Sequence, residues 1–161
     1  MERLCSNLAI YSFLGWLVEG IHHLWTCGSF KKPNFSWAPF KPMYGIAAIL
    51  LLFVQKMGRK IFYLSAFILP SIVEYISGYW LEKSFHLRYW DYSQEKGNIS
   101  GLICPKFSLY WGILSSITVH FIQPFLTNIT TKKHWKNFRL AIVAIFFCDM
   151  LCNLCRRYHK A

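Results

Sequence analysis

Apolar residues are concentrated in five segments of the chain, with polar linkers between them. A helix needs about 20 mostly apolar residues to cross a hydrocarbon core of about 30 Å. The second segment is roughly half that long and spans a membrane only if the stretch from Trp37 joins it. The segments run from Leu4 to Trp25, Tyr44 to Val54, Ile61 to Leu81, Leu102 to Phe125 and Phe138 to Leu154. This pattern predicts an all-α, polytopic membrane helix bundle of about five transmembrane helices.

Composition and charge agree with a membrane protein. Only 16% of the 161 residues are charged, whereas 55% are apolar and 19% aromatic; a soluble domain carries about 25% charged residues. The net charge is +11, and basic residues such as Lys56, Lys60 and Lys133 lie between apolar segments, where headgroups bind. No basic face is interleaved with stacking aromatics, so we expect the lipid bilayer, and not nucleic acid, as a partner. We therefore expect one integral membrane domain, residues 1–161, in the cell membrane.

The two ends of the chain carry smaller signals. No small-x-small cleavage site follows the first apolar run, so we expect a retained first helix and not a signal peptide. Near the other end, Cys148, Cys152 and Cys155 share one helical face. They are interpreted either as small packing residues or as a thiol or metal site.

Part of the chain repeats. Gly15, Glu19 and His23 are spaced by four residues, and the same order recurs at Gly78, Glu82 and His86. An Asn-x-Ser stretch, a proline, a lysine and a glycine follow in both copies. The two copies start on the same side of the bilayer, so we predict a parallel repeat of two hairpins. Repeat A covers about residues 8–56 and repeat B about 71–126, and the fifth helix, about 138–155, lies outside both.

Acidic residues interrupt three apolar runs, at Glu19, Glu74 and Asp149. A carboxylate at the bilayer centre costs about 2.5–3.5 kcal/mol on insertion scales. It is tolerated when the group faces the bundle interior, pairs with another group or is protonated. Two interpretations stay open: a proton or cation pathway, and interhelical hydrogen bonds that fix the packing.

The spacing of the repeat places these acids on defined faces. Glu74, Gly78, Glu82 and His86 form one stripe on the third helix. We predict that Glu19 and Glu82 face each other between the first and third helices. The predicted polar intramembrane site is Glu19, Glu74, Glu82 and His86. A metal site of Glu19, His23, Glu82 and His86 is an alternative, although histidines near helix ends are common at the interface. The sequence requires no cofactor.

The segment after the third helix is dense in aromatics and mixed charge. We predict that Arg88, Trp90, Asp91 and Tyr92 form a cap over a cavity mouth, with Arg88 paired to Asp91. The competing interpretation is an interfacial aromatic belt. Pro39, Pro42 and Pro105 break the entries of the second and fourth helices. Beside them, Lys41 and Lys106 are expected to extend towards headgroups, with anion binding as the alternative.

These motifs resemble the CmpB-like family of type IV ABC-transporter permeases over about residues 8–126. The resemblance is carried by residues 11–19, by Pro39 to Gly45, by Glu74, Tyr75 and Gly78, by Leu81, Glu82, Phe85 and His86, by Arg88 to Ser93, by Gly101 to Cys104, and by Trp111 and Gly112. It implies a permease that works with a separate ATPase subunit. His22, His23 and Lys41 depart from the family pattern, whereas Glu19, Glu74, Glu82, His86, Arg88, Trp90 and Asp91 match it.

The expected function is therefore a permease-like subunit or small transporter with an internal carboxylate and histidine site. No phosphate-binding G-x-x-x-x-G-K-[ST], G-x-S-x-G or H-E-x-x-H motif occurs, which favours a non-enzymatic chain with any ATPase on a separate subunit. The alternative is a non-transporting membrane protein, either an assembly partner or an enzyme acting on lipid headgroups. A homo-oligomer is also compatible with the sequence.

Overall fold

The computed structural model describes residues 2–30, 34–130, 132 and 135–159, so Lys133 of the basic linker lies outside it. Most of the described residues are helical, with no strand among them and five helices overall. The elements are α1 (Glu2–Cys27), α2 (Pro42–Val54) with a 3-10 turn (Gln55–Met57), α3 (Arg59–Phe85), α4 (Pro105–Ile117), a π-helical turn (Thr118–Ile122), α5 (Gln123–Thr130) and α6 (Lys136–Tyr158). Because the backbone stays helical from α4 to α5, these pieces form one helix that matches the fourth apolar segment.

Three helices are long and apolar enough to cross a membrane by length and composition: α1, α3 and α6. Pro42–Met57 is a shorter apolar helix. The stretch from Trp37 does not lengthen it, because Pro42 occupies the first helical turn and the backbone before it is extended. A proline suits that position, where a missing N–H costs no helical hydrogen bond.

Helix α2 lies in the middle of the packing order. It packs on α1 and on α3, while α4 packs on α3 and α6 packs on α1. A Cβ on Gly45 would lie 2.4 Å from the Leu8 carbonyl oxygen, so this glycine allows α2 to approach α1 closely. Glu19 and Glu82, which were predicted to face each other between α1 and α3, pair instead with Lys41 and Arg88.

Two apolar clusters hold these helices together. Leu51, Phe62, Ala66 and Val119 join α2 and α3 to the π-helical turn. A second cluster joins α1 to α6 through Ala9, Phe40 and Phe146. The remainder of α6 is largely exposed, since only 11% of its most apolar window is buried. In a polar solvent such an apolar surface would be unfavourable.

Candidate functional site

A cavity of about 310 Å³ opens between α1, α2, α3 and α4 and is bordered by the segment that follows α3. Its walls combine two carboxylates, one imidazole and six aromatic side chains. They include Glu19 and His22 from α1, Tyr44 from α2, Glu74 from α3, Trp90 and Tyr92 from the following segment, and Phe107, Tyr110 and Trp111 from α4. We call this space the polar cavity.

Glu74 is the most deeply buried acid of the polar cavity, with 3% of its surface exposed. Its Oε1 accepts a hydrogen bond of 3.0 Å from the Tyr92 hydroxyl. Its Oε2 accepts one of 3.0 Å from Trp111 Nε1. Both donors are neutral, and together they tie α3 to α4 and to the segment after α3. These bonds offset part of the cost of burying a carboxyl group.

Glu19 forms an ion pair with Lys41. The Nζ–Oε2 distance is 2.6 Å, and the side chains of Lys41 and Glu19 are 9% and 12% exposed. The backbone N–H of Lys41 donates to the Ser12 carbonyl at 2.9 Å, which fixes the residue before α2 against α1. The expectation that Lys41 extends towards headgroups is therefore wrong, because its ammonium group is buried against an acid inside the protein. The Tyr44 hydroxyl also hydrogen-bonds to Glu19.

The predicted cap, residues 88–93, is folded over the cavity end of α3. Arg88 Nη1 lies 3.7 Å from Asp91 Oδ1, which is the predicted pair, and Arg88 Nε lies 2.8 Å from Glu82 Oε1. Trp90 Nε1 donates to the Leu102 carbonyl at 2.9 Å. Tyr92 then reaches Glu74, so the cap and the polar cavity share a hydrogen bond.

A glycine makes this folding of the cap possible. Gly101 has φ +66°, and a Cβ there would lie 2.7 Å from atoms of Arg88, Asp91 and Ser93. Its carbonyl accepts a hydrogen bond of 2.8 Å from the Tyr92 backbone N–H. On the outside of the cap, the hydroxyl and the backbone N–H of Ser93 both donate to Asp91, and these bonds lower the pKa of the Asp91 carboxyl.

The four predicted site residues separate into two pairs. Glu19 and Glu74 line the polar cavity. Glu82 instead pairs with Arg88, and His86 ends α3 in a left-handed conformation at φ 53° and is exposed. Glu82 lies about two turns beyond Glu74 along α3, and Glu74 is the residue of α3 that shares the cavity with Glu19.

The alternative metal set of Glu19, His23, Glu82 and His86 does not come together. His23 Nδ1 contacts the Ser29 carbonyl at 2.5 Å, within its own end of α1. Among the described residues no group of three His, Cys, Asp or Glu side chains has the arrangement of a metal site. Cys148, Cys152 and Cys155 are free and exposed on α6.

Asp149 has a packing contact. Its carboxylate accepts hydrogen bonds from the Ser36 hydroxyl, from the Ala38 backbone N–H at 3.0 Å and from Asn153 Nδ2 at 2.9 Å. These bonds attach the stretch before α2 to α6.

Lys106, beside Pro105, pairs with Glu95 at 2.6 Å and is half-exposed. Unlike Lys41, Lys106 therefore stays accessible from outside, and its predicted extension towards headgroups stays a prediction.

Sequence reasoning missed Lys41 and Trp111 as partners of the two acids. A signal for Trp111 was present, because a buried indole N–H needs an acceptor and Glu74 is the acid of the neighbouring apolar run. For Lys41 the signal was its position directly before Pro42, which holds the residue in an extended conformation at a helix entry.

Comparison with known families gives one match. A family model described as "Putative ABC-transporter type IV" matches residues 6–154, which includes α6 as well as the two hairpins. No curated protein and no solved structure matches the chain.

Proposed function

The chain belongs to the type IV ABC-transporter family whose model it matches, and from that membership we propose that it is a permease-like membrane subunit. Any nucleotide hydrolysis then takes place on a separate ATPase chain, because this sequence has no phosphate-binding G-x-x-x-x-G-K-[ST] loop. The polar cavity is its substrate or coupling site, and the cap controls access to it.

The proposed architecture is a multi-pass bundle in the cell membrane. Helices α1, α3 and α6 span by length and composition. The continuous helix of residues 105–130 supplies a fourth span, since at about 1.5 Å per residue it exceeds a core of about 30 Å. Helix α2 is shorter and lies between α1 and α3. The exposed apolar surface of α6 would contact lipid.

A parallel repeat of two hairpins is part of the proposal. Helices α2 and α4 both begin at a proline that follows an extended residue, Lys41 or Cys104. Each hairpin also has a glycine at its closest approach. A Cβ on Gly45 would meet the backbone of α1, and one on Gly112 would lie 2.2 Å from the Phe67 ring of α3. These equivalent features support two related hairpins, with α6 added to the first.

One observation carries the functional proposal: a carboxylate buried between apolar helices is bonded directly to the cap. Because the Tyr92 hydroxyl bonds to Glu74, a cap movement that opens the polar cavity breaks this bond and exposes the acid. A ligand or proton that reaches Glu74 competes with Tyr92 for the same oxygen. Occupation of the cavity and the position of the cap are thereby coupled.

The test is purification of the tagged full-length chain from its native membrane in mild detergent, followed by photolabelling with an azido-ATP analogue. We expect a second, nucleotide-labelled chain to co-purify. Glu74→Gln should retain this partner but uncouple its ATP hydrolysis from the permease. Glu2→Gln is the matched control, because it removes an exposed carboxylate at the start of α1, far along that helix from Glu19.

A properly folded chain that brings down no nucleotide-binding partner would contradict the permease proposal. It would favour a non-transporting membrane protein.

A further inference from the structure

We propose that the polar cavity binds an alkylammonium group, preferably a quaternary one such as that of choline. The inference deepens the proposed function by naming the ligand class of the same cavity. It depends on that cavity being the binding site, although its test measures binding alone and needs no ATPase.

The aromatic walls are the first argument. Tyr92 and Phe107 stack at 4.2 Å between ring centroids, and Tyr44 and Trp111 lie 4.7 Å apart. Tyr110 packs edge-on against Phe107 at 5.5 Å. Aromatic side chains thus come from α2, α4 and the cap to one space. Rings around a cavity attract a cation through their negative faces, and a quaternary ammonium group is the usual ligand of such cages.

The acids are the second argument. Glu74 and Glu19 both line the cavity. The charge of Glu19 is balanced by Lys41, so Glu74 provides the counter-charge that a buried cation requires. Lys41, the ammonium group next to Glu19, is bonded to that acid at 2.6 Å and does not line the polar cavity. An anion placed here would meet the Glu74 carboxyl group, so the charge distribution selects against it.

Ligand size and bonding narrow the class further. The cavity volume of about 310 Å³ lies at the lower end of the range of about 300–1,000 Å³ for small-molecule sites. A bare metal ion would need three or more grouped ligands, and the part of the chain that the structure describes offers no such group. A quaternary ammonium donates no hydrogen bonds, which fits walls that are mostly rings.

Binding of radiolabelled choline to the full chain in phosphatidylglycerol nanodiscs tests the inference. The control ligand is the neutral analogue in which a tert-butyl group replaces the trimethylammonium group. We expect choline to bind at least about tenfold more tightly than this analogue. Glu74→Gln should weaken choline binding at least about tenfold, whereas Glu2→Gln should leave it unchanged.

A second pair of variants covers the case in which Glu74→Gln does not fold. Tyr110 is 48% exposed and makes a ring contact only with Phe107 among the contacts described, so its substitution should be tolerated. Tyr110→Leu should weaken choline binding about threefold, and Tyr110→Phe, which keeps the ring, should retain wild-type affinity.

The lipid composition separates two sources of the ammonium group. Loss of choline binding in phosphatidylcholine nanodiscs would assign the group to a lipid headgroup, and retained binding would assign it to a soluble molecule; both support the alkylammonium site. Equal binding of choline and its neutral analogue, or no choline binding at millimolar concentration, overturns the inference. If choline fails to bind but an ATPase co-purifies, the ligand class is wrong and the permease role stands. If choline binds but no ATPase co-purifies, the permease role is wrong and the alkylammonium site stands.

Discussion

The connections that lead into α2 and α4 are held in different ways. The first connection follows α1, and its residues 34–41 are bound from outside: Asp149 of α6 accepts from Ser36 and Ala38, and Arg157 of α6 donates to the Phe35 carbonyl at 3.1 Å. The second, residues 86–104, is bound mostly to itself and to α3. Among its described hydrogen bonds, Arg88 donates to the Ser100 carbonyl and Trp90 donates to the Leu102 carbonyl. The Gly101 N–H donates to the Asn98 side-chain oxygen.

Helix α6 therefore supports the first connection through several hydrogen bonds, whereas the second connection receives fewer from it. The first connection needs an external support to hold Lys41 next to Glu19. The second is a self-supported cap that can deliver Tyr92 to Glu74. Arg157 links the two, since its Nη2 also donates to the Tyr89 hydroxyl at 3.2 Å. A movement of the cap that displaces Tyr89 would therefore disturb Arg157 of α6.

The largest expected effect tests the buried ion pair of the first connection. Lys41→Met leaves the Glu19 carboxylate buried without its ammonium partner and should lower the free energy of unfolding by about 3 kcal/mol. Adding Glu19→Gln should recover much of that loss. Unfolding in detergent, followed by circular dichroism, measures both variants.

Lys106, which follows the second connection at the start of α4, is the control for that experiment. Lys106→Met removes a half-exposed ion pair with Glu95, so its effect on stability should be much smaller. Equal losses from Lys41→Met and Lys106→Met would show that burial does not distinguish the two connections.

The second prediction compares glycines with nearly the same backbone. Gly101 in the cap has φ +66° and Gly28 at the start of the first connection has φ +68°, but only Gly101 is surrounded by side chains. Gly28→Ala should cost about 1 kcal/mol for the left-handed conformation alone. Gly101→Ala should cost at least about 2 kcal/mol, because it also displaces three polar side chains.

Thermal unfolding gives the two losses. The fluorescence of Trp90, separated from that of the other six tryptophans by subtracting the spectrum of the Trp90→Phe variant, reports on the cap directly. A loss at Gly28 as large as that at Gly101 would mean that the crowding around Gly101 contributes nothing.

The third prediction concerns the external support. Asp149→Asn weakens the acceptor of Ser36 and Ala38 and should lower stability by about 1–2 kcal/mol. Proteolysis or hydrogen exchange should increase in residues 34–41 and stay unchanged in the cap. Equal loosening of the cap would show that α6 supports both connections to the same extent.

How far these features were predictable depends on the range of the interaction. The helices follow from runs of apolar residues, and the burial of Glu74 follows from its place inside one of them. Arg88 and Asp91 are three residues apart, so their pairing was predictable from the local sequence. The pairing of Lys41 with Glu19 was missed, because it depends on how a proline entry packs against another helix. Similarly, nothing local indicated that Glu19 would share a cavity with Glu74 and not with Glu82.

The smallest expected effect is the pH dependence of the cap. The Ser93 hydroxyl and backbone N–H hold the pKa of Asp91 below its ordinary value of 3.8. A lowered folded-state pKa means that the carboxylate stabilises the cap fully above pH 3.8 and loses that contribution as the pH falls through the folded-state pKa. The side chain is exposed, so the change should be small and confined to the cap.

Trp90 fluorescence in wild type should therefore change below about pH 4, whereas Asp91→Asn should already show the acid signal at neutral pH and change less. Glu2→Gln controls for titration elsewhere. If the wild type and Asp91→Asn titrate alike, the Asp91 carboxylate does not hold the cap, and its self-support rests on Gly101 and the backbone bonds alone.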